Sequence, residues 1–178
     1  MKTTETVLSV EDIYDGKVIK VKKYTVALPD GRKAFREEVL HHGGACALAV
    51  DGGDIVFVSQ YRLAAREELL ELPAGKMNEG EDPMLCAARE LKEETGLIAK
   101  RMELISAFYP SPGYTDEKIY VYHCTDFEKG DNALDDGEFL NVVRVPQNKA
   151  FRMLDEGLFA DGKTVVALLY LKSLLQKA

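Results

Sequence analysis

The chain has 178 residues, with 23 basic and 30 acidic side chains and a formal net charge of −7. Hydrophobic residues make up 46% and charged residues 30%, an ordinary globular composition sufficient for one domain or one domain with a small appendage. The acidic balance argues against nucleic acid as a partner, since such binding needs cationic surface to release counterions, but it leaves room for an anionic substrate met through metal ions.

Residues 1–40 read as an N-terminal β section. Lys17–Leu28 is rich in Val, Ile, Thr and Tyr, Pro29-Asp30-Gly31 supplies turn chemistry, and Lys33–His41 is placed to return as the second strand of a hairpin. Residues 41–178 read as the main domain. Strands are expected at Cys46–Val50 and Ile55–Gln60, joined by Asp51-Gly52-Gly53-Asp54, with a short one at Leu69–Leu72. Asp82 is a good N-cap, Pro83 sits at the first helical position and Gly96 is placed to end a helix over Pro83–Thr95. Strands follow at Arg101–Tyr109, Lys118–Thr125 and Phe139–Val145, with the acidic stretch Asp126–Glu138 as a loop. Helices are expected near Gln147–Glu156 and Lys163–Gln176. This order predicts an α+β sheet covered by helices rather than a regular βαβ array.

No apolar signal core follows Met1, and no uninterrupted apolar run approaches the ~20 residues of a membrane span, so no membrane partner is expected. Cys46, Cys86 and Cys124 are widely spaced and odd in number, which suits a reducing cytoplasm. With His41, His42 and His123 they show no zinc-ligand spacing.

On a wheel of about 100° per residue, Met84, Ala88, Leu91 and Thr95 share one stripe, expected to be the buried side, and Glu90, Glu93 and Glu94 fall together on the other. Like charges at i, i+3 and i, i+4 repel, and a divalent cation removes that cost. Carboxylates are hard oxygen ligands, suited to Mg²⁺ or Mn²⁺ rather than zinc. The plain alternative is a solvated acidic face relieved by Arg89 and Lys92.

The surroundings favour the metal. Leu72-Pro73-Ala74-Gly75 precedes the helix, and the run from Gly75 through Glu81, Arg89, Glu90, Leu91, Glu93, Glu94 and Gly96 to Leu97 fills the pattern Gly-x5-Glu-x7-Arg-Glu-U-x-Glu-Glu-x-Gly-U, with U a bulky apolar residue. This resembles the complete Nudix box, and the chain is identified as a member of that superfamily. The resemblance implies a Nudix-type αβα sandwich with a mixed β-sheet, joined here to the N-terminal antiparallel section. It implies a Mg²⁺-dependent hydrolase, with Mn²⁺ as a substitute, that splits a diphosphate joined to another moiety. Glu90 and Glu94 would be the main metal ligands, Glu93 a third or a close neighbour of the metal, and the Ala74 carbonyl a backbone ligand. Arg89 would hold a glutamate by a bidentate ion pair, and Glu81 would close the motif.

Phe108–Glu117, with Pro112 15 residues beyond Leu97 and followed by Gly113, resembles the Ser-Pro-Gly segment of the ADP-ribose pyrophosphatase subfamily. Gln60-Tyr61-Arg62 resembles the subfamily's phosphate-meeting arginine segment, and Arg36 resembles a substrate-contacting arginine. The resemblance therefore implies a small nucleotide substrate, ADP-ribose, split to AMP and ribose 5-phosphate. It also implies a general base on a late loop: Glu138 first, with Glu117 and Asp136 as alternatives. Tyr14, Tyr24 and Tyr114 are candidates to stack on adenine. It further implies a homodimer, with residues 1–40 exchanged or packed across the two-fold; the same section reads equally as a sheet extension within one monomer. Another nucleoside-diphosphate sugar of the GDP-mannose type, and a non-catalytic ADP-ribose sensor, are the competing readings.

Overall fold

Pro29-Asp30-Gly31 turns the chain between two strands that pair along their full length. β2 (Lys20–Ala27) and β3 (Lys33–Leu40) run in register from Lys20↔Leu40 to Ala27↔Lys33. β1 (Thr6–Asp15) adds antiparallel to the free edge of β2, giving a three-stranded sheet in the order β1-β2-β3. The computed structural model describes residues 3–134 and 139–177. The chain divides into two compact units, Met1–Gly43 with Tyr109–Lys118, and Gly44–Phe108 with Ile119–Ala178.

In the first unit, Val39 and Tyr109–Lys118 exchange backbone bonds. Val39 N donates to the Tyr114 carbonyl at 2.7 Å and Asp116 N to the Val39 carbonyl at 3.3 Å. β1 was not individually legible in the sequence: all ten of its residues are exposed, so neither face imposes the alternation that marks a half-buried strand.

The second unit is a mixed sheet. β4 (Gly44–Asp51) pairs parallel with β9 (Ile119–Lys129) and antiparallel with β5 (Asp54–Arg62) and the short β7 (Ala74–Lys76). β6 (Glu67–Glu71) and β10 (Leu140–Pro146) flank β5, and β8 (Leu97–Phe108) flanks β9. The sheet order is β10-β5-β4-β9-β8, with β6 on β5 and β7 on β4. β9 runs four residues into the acidic stretch read as a loop, because Leu97–Phe108 is long enough to pair it as far as Lys129.

Period-2 alternation divides the core between two faces. From β4, Cys46 and Leu48 join Phe57, Val121 and the helical residues Ala150, Ala167, Leu168 and Leu171 of α2 (Gln147–Asp155) and α3 (Gly162–Leu175). Ala45, Ala47 and Ala49 face the other way, toward Cys86, Ala87 and Leu91 of α1 (Pro83–Thr95). Alanines on that face let α1 lie close to the sheet. Full burial of Leu48, Phe57 and Leu168 contributes about 1.5–3 kcal/mol apiece. The fold is thus α+β, a helix-covered mixed sheet with a separate antiparallel N-terminal sheet. Among the described residues no helix is long and apolar enough to cross a membrane.

α1 begins and ends as its sequence predicts. Asp82 Oδ1 accepts from the amides of Met84 at 2.8 Å and Leu85 at 3.3 Å, and Gly96 takes φ 74°. Its buried side differs from the expected stripe. Cys86, Ala87, Glu90, Leu91 and Glu94 are buried, while Met84 is 42% exposed. Two carboxylates thus lie within the buried face rather than opposite it. An apolar-only periodicity passes over them because it counts Glu as a surface residue.

Candidate active site

Glycine at position 75 is what lets β7 and α1 meet. A Cβ there would stand 1.9 Å from Glu90 Oε1, far inside van der Waals contact. The bare backbone therefore forms a cradle for the Glu90 carboxylate. One residue earlier, the Ala74 amide donates to Glu94 Oε2 at 3.0 Å. Glu90 and Glu94 are only 8% and 3% exposed, and burying carboxylates at this depth is costly unless they are compensated.

Arg89 supplies part of the compensation. Its Nε and Nη2 form a fork on Glu81, at 3.0 and 3.1 Å, so the bidentate partner is Glu81. Nη1 donates to Glu90 Oε1 at 2.6 Å and to Glu93 Oε2 at 3.0 Å. Glu81 in turn accepts from the Asn78 amide at 2.8 Å, which closes the loop between β7 and α1. The bond to Arg89 holds the Glu81 carboxyl below its ordinary range, and Glu81, followed by Glu90 and Glu93, raises the Arg89 guanidinium above its own, against the opposing effect of burial.

Three carboxylates, Glu81, Glu90 and Glu93, therefore share one inserted guanidinium, and Glu94 lies beside them on the Ala74 amide. Among the described residues no three Asp, Glu, His or Cys side chains already converge as a metal-binding group; Arg89 takes Glu90 and Glu93, and the Ala74 amide takes Glu94. The donor set nevertheless fits a hard divalent cation. It is all oxygen, carries excess negative charge and sits on a backbone that admits a close carboxylate.

Arg62, at the end of β5, grips the buried Glu71 at the end of β6, with Nε to Oε1 at 2.6 Å and Nη2 to Oε2 at 2.9 Å. Glu71 is one charged residue in an otherwise apolar run, Leu69-Leu70-Glu71-Leu72. That oddity was a signal the sequence reading passed over.

The first unit holds the remaining candidates. Arg36 donates from Nη1 to the Phe35 carbonyl at 2.8 Å and from Nη2 to Glu5. It shares a cleft of about 300 Å³ with Tyr24, Glu38, Pro112, Gly113 and Tyr114. Tyr24 donates to Glu38 Oε2 at 2.6 Å. Tyr14 and Tyr114 are exposed, and Tyr14 lies against Gly16. Glu117 Oε1 stands 3.5 Å from His41 Nδ1. Asp136 and Glu138 lie outside the described residues.

The NUDIX domain family matches residues 40–168. The chain is 39% identical over 171 residues to the ADP-ribose pyrophosphatase of Bacillus subtilis (strain 168), covering 94% of this chain and 92% of that protein. It is 38% identical over 177 residues to the methanol dehydrogenase activator of Bacillus methanolicus, covering 98% and 95%. A crystal structure of an ADP compounds hydrolase has the same fold, with a TM-score of 0.85 at 21% identity over 97% of this chain and 95% of that one. With its box complete and folded as loop and helix, the chain belongs to the NUDIX family.

Proposed function

We propose that this Nudix hydrolase splits the diphosphate bond of ADP-ribose to AMP and ribose 5-phosphate, using Mg²⁺, for which Mn²⁺ substitutes. The observation that carries the reading is the burial of Glu90 and Glu94 against the Ala74–Gly75 backbone, a costly arrangement that a solvated acidic face does not need. Full-length similarity to an ADP-ribose pyrophosphatase supports the choice of substrate.

In this reading Glu90, Glu94, Glu93 and the Ala74 carbonyl hold the cation, which when bound neutralises phosphate oxygens and lowers the pKa of the attacking water. Arg89 fixes Glu90 and Glu93 so that their oxygens need little reorganisation. Arg62, through the guanidinium edge that its bonds to Glu71 leave open, and Arg36 bind phosphate, Pro112 and Gly113 shape the substrate wall, and Glu138 or Glu117 takes the proton from water. Comparing kcat of Glu138→Gln with that of Glu117→Gln decides between these two bases. The chain acts as a homodimer in this reading. The edge strand β1 presents Val7, Leu8, Val10, Ile13 and Tyr14 to solvent, a row of apolar side chains suited to a second copy.

The test is phosphate release, coupled to a phosphatase, from ADP-ribose, GDP-mannose, ADP-glucose, NADH and dGTP, with and without Mg²⁺. Mg²⁺-dependent turnover highest on ADP-ribose, with kcat/KM of at least ~10⁴ M⁻¹s⁻¹, is expected. Binding of ADP-ribose without turnover would instead mark a sensor. The relative named methanol dehydrogenase activator favours a second reading, activation of such a dehydrogenase, checked by adding the protein to that enzyme's assay.

A further inference from the structure

The first turn of α3 carries a buried polar chain that the box does not include. Lys163 Nζ, on a side chain 13% exposed, donates to Glu71 Oε2 at 2.5 Å and to Asp161 Oδ1 at 3.0 Å. Asp161 Oδ2 accepts from both the amide and the hydroxyl of Thr164, at 3.0 and 2.6 Å. The same hydroxyl accepts from the Leu72 amide at 2.8 Å. The dipeptide Glu71-Leu72 is therefore fastened to α3 twice, once by side chain and once by backbone, two residues before Ala74.

Glu71 is the shared acceptor. It takes Nε and Nη2 of Arg62 on one side and Lys163 on the other. Arg62 is 41% exposed at its side chain while Glu71 is 3%, so the guanidinium stands between a buried anchor and solvent, with Nη1 not committed to that anchor. Arg62 and Lys163 together balance Glu71 and Asp161. Without Lys163 the two carboxylates would outweigh Arg62 by one negative charge, which opposes an anionic phosphate, and Glu71 would lose one of the bonds that fix the direction of the Arg62 guanidinium.

We propose that Lys163 is a positioning residue for substrate binding, acting through Glu71 to fix the direction of the Arg62 guanidinium and to offset the carboxylate charge around it, so that it is aimed at the substrate diphosphate. This rests on the ADP-ribose reading and on the role of Arg62 within it.

The experiment measures ADP-ribose affinity by calorimetry in EDTA, together with KM and kcat in Mg²⁺, for wild type, Lys163→Met and Lys163→Arg, with thermal unfolding alongside. Lys163→Met is expected to weaken ADP-ribose binding and raise KM by roughly tenfold, with kcat changed less than about twofold. Lys163→Arg, which restores the cation, is expected to recover most of the affinity. Wild-type affinity in a folded Lys163→Met protein overturns the proposal, as does loss of affinity that Lys163→Arg fails to rescue. If Lys163→Met does not fold, Lys163→Arg and Lys163→Gln carry the same comparison. Absence of wild-type turnover overturns the hydrolase reading, whereas the Lys163 proposal is still judged by the calorimetry, and a wild type that does not bind ADP-ribose overturns it too.

Discussion

The Ala74 amide and the Glu94 carboxylate are bonded at 3.0 Å across 20 residues of chain, so the strand before the box helix and the last glutamate of that helix form one unit. Glu94→Gln keeps an oxygen for this bond and removes the charge. Turnover with Mg²⁺ is expected to fall by on the order of 10²-fold or more, while unfolding in urea shifts by less than about 1 kcal/mol. Near-wild-type kcat in that variant would remove Glu94 from the metal site.

Gly75→Ala places a methyl where Glu90 Oε1 now lies. The carboxylate must move, and the strained contact costs about 1–3 kcal/mol of stability. Activity is expected to drop by roughly 10–100-fold, with a higher Mg²⁺ concentration needed for half-maximal rate. A Mg²⁺ titration identical to wild type would mean that the cradle does not orient Glu90.

Glu71 provides a pH test. Burial acts to raise its pKa, but Arg62 and Lys163 together outweigh it and hold the carboxyl below its ordinary value. A depressed folded-state pKa means stability that is present above the unfolded carboxylate pKa, about 4.3, and lost as pH falls through the folded value. Glu71→Gln is expected to cost about 3–5 kcal/mol at neutral pH, since it removes the negative charge that Arg62 and Lys163 share. It should also flatten the acid limb of stability against pH. An unchanged acid limb by urea unfolding at several pH values would show that Glu71 is not the titrating group.

Tyr24 titrates at the other end. Its bond to Glu38, burial and the nearby negative charges push the phenol up to about 12. A raised folded-state pKa means stability that is complete below the unfolded phenol value, about 10, and lost as pH rises through 12. The difference between ultraviolet titrations of wild type and Tyr24→Phe should isolate one tyrosinate ionising near that upper value. A lost transition near 10 instead would mean that the Glu38 bond is absent in solution.

The dimer reading turns on β1. Ile13→Glu, on a strand whose ten residues are all exposed, introduces a charge without disturbing any buried group. Sedimentation is expected to give twice the chain mass for wild type and the chain mass for the variant. A monomeric wild type would make the N-terminal sheet an extension of a single subunit.

The box helix could be read directly from sequence because its causes are local. Asp82, Pro83 and Gly96 act within one turn of the residues they cap, and Glu90, Glu93 and Glu94 fall on neighbouring helix positions by helical pitch alone. The β4 and β5 strands were equally legible, since a sheet covered on both faces gives continuous apolar runs. Which side of α1 is buried was not, because that depends on alanines of β4, some 40 residues away in sequence, that admit the helix close to the sheet. The Arg89 fork onto Glu81 and the joining of Glu71 to Lys163 across 92 residues follow from the tertiary structure alone. A buried charge takes whichever partner packing brings within bonding distance, and no spacing in the chain records that choice.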